Sequence, residues 1–105
     1  RQVNTFFSIT PSVFSDEEAA KLVRYIDWLK ANPDVDIAIA GHADKGTGNK
    51  RINQKLSEQR AAAVKAFLME RGIAESRIVS VVANGDRVQP FAENDLNRVV
   101  ISTIE

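Results

Sequence analysis

Cysteine is absent from the chain, methionine and histidine occur once each, and only three prolines and five glycines interrupt its 105 residues. Without thiols there is no disulfide framework and no thiolate metal site, a condition compatible with cytosol and periplasm alike. Net charge is absent as well, because 14 Lys and Arg balance 14 Asp and Glu. A neutral chain with no basic cluster along its sequence has no global field to gather nucleic acid, so none is expected as a partner. No run approaches the roughly 18 apolar residues that span a bilayer, so direct membrane insertion by this domain is not expected either. The lone imidazole, His42, has no metal-ligating partners at suitable spacing, which leaves a hydrogen-bonding role and no expected metal or cofactor.

What remains is enough for one domain, residues 1–105, burying on the order of two-thirds of its unfolded surface. The chain opens on Arg1 and reads as a mature fragment or excised domain. Val3 to Ile9 is β-branched and aromatic, a strand, broken by Pro11 and Ser12. Ser15-Asp16-Glu17-Glu18 has the form of a capping box opening a helix, with Ala19, Leu22, Val23, Ile26 and Leu29 on its core face. Tyr25 and Trp28 flank that stripe; partly buried packing is favoured over a sugar-stacking platform. Asn32-Pro33 ends the helix.

Asp34 to Gly41 reads as the second strand, with Ala38 and Ala40 on its alternate face predicting close coverage by a helix there. A polar loop, Asp44 to Lys50, leads into a long helix from about Ile52 to Arg71, striped by Leu56, Ala63, Val64, Phe67 and Leu68. Gly72 suits a left-handed cap. Arg77 to Ala83 is a third strand and Asn97 to Ile104 a closing one. Between them, Asn84 to Leu96 is irregular, with Asn84-Gly85-Asp86 as a turn and Pro90-Phe91 as a packed point. The fold class is α/β, β-α-β-α-β-β. Right-handed crossovers make the first three strands parallel, with the fourth antiparallel in the same sheet and both helices on one face.

The junction after the second strand is where open α/β sheets place ligands. Asp44 and Arg60 frame it, and a carboxylate facing a guanidinium there suits either a ligand carrying both an ammonium and a carboxylate or a structural ion pair. Arg60 is predicted on the polar side of its helix, away from Val64, Phe67 and Leu68. The loop glycines match neither the phosphate-cradling nor the dinucleotide pattern, so a nucleotide or phosphate binder is a distant alternative.

Gly41-His42-Ala43-Asp44, Asn53, and Leu56-Ser57-Glu58-Gln59-Arg60-Ala61 together resemble the signature of the OmpA-like peptidoglycan-binding domain. The resemblance extends over nearly the whole chain, through Ile73-Ala74-Glu75-Ser76-Arg77-Ile78 and the Asn97-Arg98 start of the last strand. Ala43 stands where the family has Thr, Ile52 where it has Tyr, Val99 where it has a second Arg, and Ser8 and Thr10 where it has acids. The Asp-to-Arg spacing is one residue longer than the common form.

The resemblance implies a non-catalytic module that binds the diaminopimelate of a peptidoglycan stem peptide. Asp44 would take its ammonium and Arg60 its carboxylate, with Asn53 and Arg98 beside them and the backbone of Ile9, Thr10 and Ala43 lining the loop. It also implies an upstream outer-membrane anchor or barrel, on the periplasmic face of a Gram-negative outer membrane. A structural or protein-interaction module that keeps the fold without the ligand is the rival reading.

Overall fold

The computed structural model describes residues 1–9 and 13–105. The chain forms β1 (Gln2–Phe6), α1 (Asp16–Ala31), β2 (Ile37–Gly41), α2 (Lys50–Glu70), β3 (Ile78–Ala83) and β4 (Val99–Ile104), with short 3-10 turns at Glu75–Arg77 and Asn94–Asn97. The four strands form one sheet in the order β1-β4-β2-β3. β2 and β3 are parallel, while β4 runs antiparallel to both of its neighbours. β1, β2 and β3 therefore share a direction, as the sequence pattern predicts, and the last strand lies between the first two.

Each strand is shorter than its apolar pattern. The second begins at Ile37, just past the Val35 carbonyl, which accepts from the Arg77 guanidinium at 2.8 and 3.1 Å; the same guanidinium donates to Leu29 and Asn32 at the end of α1 at 3.0 and 2.8 Å. The expected break at Pro11 and Ser12 lies outside the described residues.

Ser15 caps α1, its hydroxyl accepting from the Glu18 amide at 3.3 Å. Only this half of the capping box forms. The Glu18 carboxylate instead accepts from the Phe6 amide at 2.7 Å and pairs with Lys21 at 2.9 Å, fastening α1 to β1. Leu22, Tyr25, Ile26 and Leu29 are the buried face. That places Tyr25 in the core and rotates Val23 outward, to 37% exposure, against expectation. Trp28 packs half-buried against the same cluster.

Asn49, whose side chain accepts from the Ile52 amide at 2.9 Å, starts α2 ahead of its apolar stripe. The buried line is Asn53, Ser57, Arg60, Ala61, Val64 and Leu68. Arg60 thus lies on the buried face and not on the polar one, because that line continues unbroken through Val64 and Leu68. The helix closes as expected: Gly72 has φ +98°, with Gly72 N–H donating to Met69 and Ile73 N–H to Leu68. This is a Schellman cap, sealed by contact between buried Ile73 and Leu68.

The helices cover the face of Ile37, Ile39 and Gly41, which are buried, whereas Ala38 and Ala40 remain half-exposed. The expected helix over the two alanines is absent. The small residue that admits a helix is Gly41, where an added Cβ would collide with the Ser57 carbonyl of α2 and touch Ala61 at 3.0 Å. On the other face, the β3–β4 connection supplies cover by packing Phe91 on Phe6, ring centroids 5.8 Å apart.

Gly41→Ala is expected to push α2 away from β2 and lower stability by about 1–3 kcal/mol, as overpacking of a close contact does. Urea unfolding measures it; an unchanged midpoint would mean that the helix yields freely.

Candidate ligand-binding site

The ends of β1, β2 and β3 point the same way, and the segments that follow them meet above the start of β4. Their backbones interlock. Ala43 N–H donates to Gly85 at 2.8 Å, and Asn84 N–H to Gly41 at 2.9 Å. Gly85 N–H donates to the Ser57 hydroxyl at 2.9 Å. Gln89 donates to the Ala43 carbonyl at 2.9 Å and accepts from Lys45 N–H at 3.2 Å. The resulting cup is held by many short contacts and carries the charged groups on its inside.

Asp44 is 2% exposed. Its carboxylate accepts from the Thr47 hydroxyl at 2.9 and 3.1 Å, from Asn94 at 3.0 Å and from Arg98 at 3.3 Å. Burial on its own would raise its pKa, but those hydrogen bonds, together with the Arg98 charge, outweigh it and hold the carboxyl below its ordinary range. Asp44 is therefore ionised at neutral pH, and its ion-pair partner is Arg98, not Arg60.

Arg60 is 1% exposed. Nη1 donates to the His42 carbonyl and Nη2 to the Ser8 carbonyl, both at 3.2 Å, and the guanidinium lies 5.8 Å from the Phe7 ring centre. Among the described residues Nε has no partner, and no carboxylate stands within ion-pair reach of this side chain. Burial pushes its pKa down, Asp44 opposes that, and Arg98 adds to it. Arg98 pairs with Asp44 and with the exposed Asp95, so Arg60 is the buried guanidinium left without an ion-pair partner among the described residues. A buried cation with an N–H lacking an acceptor is the condition in which an incoming anion gains most.

Asn53 neither caps its helix nor stands free. Its amide donates to the Thr47 carbonyl and to Asp86, both at 2.9 Å, and reaches the Asp44 carbonyl at 3.3 Å. It pins the loop that presents Asp44. Asp86, 8% exposed, also takes Lys50 Nζ at 2.6 Å, and these partners lower its pKa. Arg98 bridges the Phe7 carbonyl at 3.2 Å, Asp44, and Asp95 at 3.4 Å.

Of the expected backbone contributors, Ala43 has both its N–H and its C=O engaged inside the cup. Ile9 is half-exposed beside Ser8, and Thr10 lies outside the described residues. His42 is buried, 3% exposed, and burial lowers its pKa against a smaller opposing hydrogen bond at Val88. It is a wall of the cup through its carbonyl. No cluster of metal-ligating side chains occurs among the described residues.

Thr47, Asn94, Asp86 and Gln89 were not singled out by sequence reasoning. The turn at Asn84-Gly85-Asp86 marks Asp86 as a bend but not as the acceptor for Asn53. Asn94, fifty residues from Asp44, carries no local signal.

Residues 6–100 match the OmpA family, and the chain belongs to it. The chain is 32% identical over 98 residues to outer membrane protein 40 of Porphyromonas gingivalis, covering 93% of the chain and 25% of that protein. It is 32% identical over 90 residues to the peptidoglycan-associated lipoprotein of Brucella melitensis, covering 86% of the chain and 53% of the lipoprotein. A peptidoglycan-binding protein, ArfA, of Mycobacterium bovis is 42% identical over 73 residues, 70% of the chain and 22% of ArfA. The chain thus spans from about a fifth to about half the length of these relatives. Among solved structures, the peptidoglycan-associated lipoprotein of Burkholderia pseudomallei superposes with a TM-score of 0.86 at 22% identity, over 97% of this chain and 89% of that one. The periplasmic domain of Helicobacter pylori MotB does so at 0.78 and 15%, over 99% and 74%. At these identities the two structures speak to the fold alone.

Asp44 and Asp86 are both more acidic folded than their ordinary 3.8. Their stabilising contribution is therefore complete above that value and drains away as pH falls through the lower folded values. Urea midpoints are expected to drop steeply below about pH 4, and Asp44→Asn or Asp86→Asn to flatten part of that drop. An identical acid slope in both variants would remove these carboxylates from the account.

Proposed function

We propose that the domain binds peptidoglycan non-covalently through the zwitterionic end of diaminopimelate in a stem peptide. The carrying observation is Arg60, a buried guanidinium held by two carbonyls, with Nε unpartnered and no carboxylate of its own. A ligand carboxylate supplies the missing acceptor and a countercharge for the buried Arg60. The ligand's ammonium, on the same carbon, takes Asp44, which Arg98 occupies at the long distance of 3.3 Å. Asn53 keeps that carboxylate in place, and Arg98 is free to turn part of its guanidinium to the ligand. Relatives named as peptidoglycan-associated and peptidoglycan-binding support peptidoglycan as the partner.

On this reading the domain is an anchor point and not an enzyme. It tethers an envelope protein to the wall from the periplasmic face of a Gram-negative outer membrane, with an upstream anchor or barrel completing the protein. Its one imidazole is buried, and among the described residues its Nδ1 has no hydrogen-bond partner. Purified domain is expected to release no soluble muropeptides from sacculi, and release would overturn the non-catalytic reading.

Selectivity follows from the charge arrangement. A stem peptide with lysine in the third position, or with amidated diaminopimelate, leaves the already buried Arg60 without an anion. That omission costs about 1–3 kcal/mol, so about tenfold or greater discrimination is expected in calorimetric titrations of the three muropeptides. Because Arg60 is buried, Arg60→Ala would confound binding with folding. Arg60→Lys keeps the charge, loses the fork, and is expected to weaken the free-carboxylate ligand while narrowing the discrimination. Equal affinity for all three ligands would show that Arg60 does not read the carboxylate, and no affinity for any favours the interaction module that has kept the fold without the ligand.

A further inference from the structure

Away from the cup, Arg1, Gln2, Val3, Lys21, Arg24 and Tyr25 enclose a cleft of about 200 Å³ between the start of β1 and one side of α1. Ser8, which touches Arg60, is five residues along from Val3, or about 16 Å at the rise of an extended chain. The cleft and the cup are separate places.

Its three cations are scattered in sequence, and only the fastening of α1 to β1 gathers them. Glu18 neutralises Lys21 at 2.9 Å. Among the described residues no carboxylate stands within ion-pair reach of Arg1 or Arg24. Arg1 lies over the Trp28 ring at 5.4 Å, a stacking that uses the guanidinium face and leaves its N–H edge for an anion.

The second observation is Tyr25. It is 3% exposed, lines the cleft, and its hydroxyl has no hydrogen-bond partner. Buried hydroxyls are ordinarily paired, so this one, at the wall of a cationic cleft, is a donor lacking its acceptor among the described residues. Burial pushes its pKa up to about 12 against a smaller lowering by Arg1, so it keeps its proton at neutral pH.

We propose that this cleft is a second binding site, taking a phosphoryl group, with Arg1 and Arg24 paired to its oxygens and the Tyr25 hydroxyl donating to one of them. Two uncompensated cations and a neutral donor match a dianion with three terminal oxygens. A carboxylate would satisfy one arginine fork and leave the other idle. The volume admits the phosphoryl group itself, and the rest of its carrier extends into solvent. The site is independent of the reading of Arg60 and Asp44.

The test is an amide chemical-shift titration of the whole chain with inorganic phosphate and with glucose 1-phosphate at pH 8, with acetate at matched ionic strength as control. Co-sedimentation with phosphatidylcholine vesicles, with and without phosphatidic acid, runs beside it. Saturable shifts at Gln2, Lys21, Arg24 and Tyr25 are expected with the phosphates alone. Tyr25→Phe, which keeps the ring, should weaken binding about fivefold, and exposed Arg24→Gln about tenfold. Arg60→Lys should leave it unchanged. Vesicle binding that needs phosphatidic acid and Arg24 assigns the group to a lipid headgroup; binding of the soluble phosphates alone assigns it to a free or sugar-borne phosphate. Equal shifts with acetate, absent or unsaturable shifts, or full affinity in a folded Tyr25→Phe variant would each overturn the proposal.

Discussion

A guanidinium taken out of water must find acceptors for its protons or cost the fold several kcal/mol. Arg60 meets that demand with the backbone at the ends of two strands, Ser8 after β1 and His42 after β2. Those strands do not pair with each other, because β4 lies between them. The Arg60 side chain is therefore a clasp across the top of the sheet, and the cup above β4 takes its shape from it. Because the acceptors are neutral carbonyls, the clasp leaves the charge uncancelled. Asp44 is near enough to favour it electrostatically but is bonded to Arg98, which Asp95 also pairs, so the uncompensated charge is that of Arg60.

The helix that delivers Arg60 has two halves along a single buried face. Asn53, Ser57 and Arg60 are polar and serve the loops; Ala61, Val64 and Leu68 are apolar and serve the core. Gly41 lets both halves close on β2. Core packing and loop positioning thus share one helix. The hydroxyl of Ser57 holds Gly85, and the amide of Asn53 holds Thr47 and Asp86, so the two loops are referenced to the same helix as the guanidinium.

The element order and strand directions were legible in the sequence because period and punctuation are local properties: alternation in Val35 to Ile39, the cap at Ser15, the stop at Gly72. The position of Arg60 was misread for a related reason. A helical stripe was drawn through apolar residues only, and a charged residue on the buried face is invisible to that rule. The ion-pair partner of Asp44 is not legible locally, because Arg98 is distant along the chain and reaches it through the placement of β4 between β1 and β2. Asn94 and Gln89 are legible only once the loops have met. The resemblance to a family names residues that the fold brings together at the cup but could not apportion their hydrogen bonds.

The register of β1 on β4, from Gln2 opposite Thr103 to Phe6 opposite Val99, also defines a load path. Ladder hydrogen bonds lie across the strands. A pull on Arg1 resisted by a ligand held at Arg60 would run along β1 and strain the whole β1–β4 ladder in shear, so that its bonds yield together instead of unzipping in turn. The Glu18 contact to the Phe6 amide, at the far end of that strand, would share the strain with α1. A tether gripping at the cup would in this way be strongest along the direction in which its own first strand points.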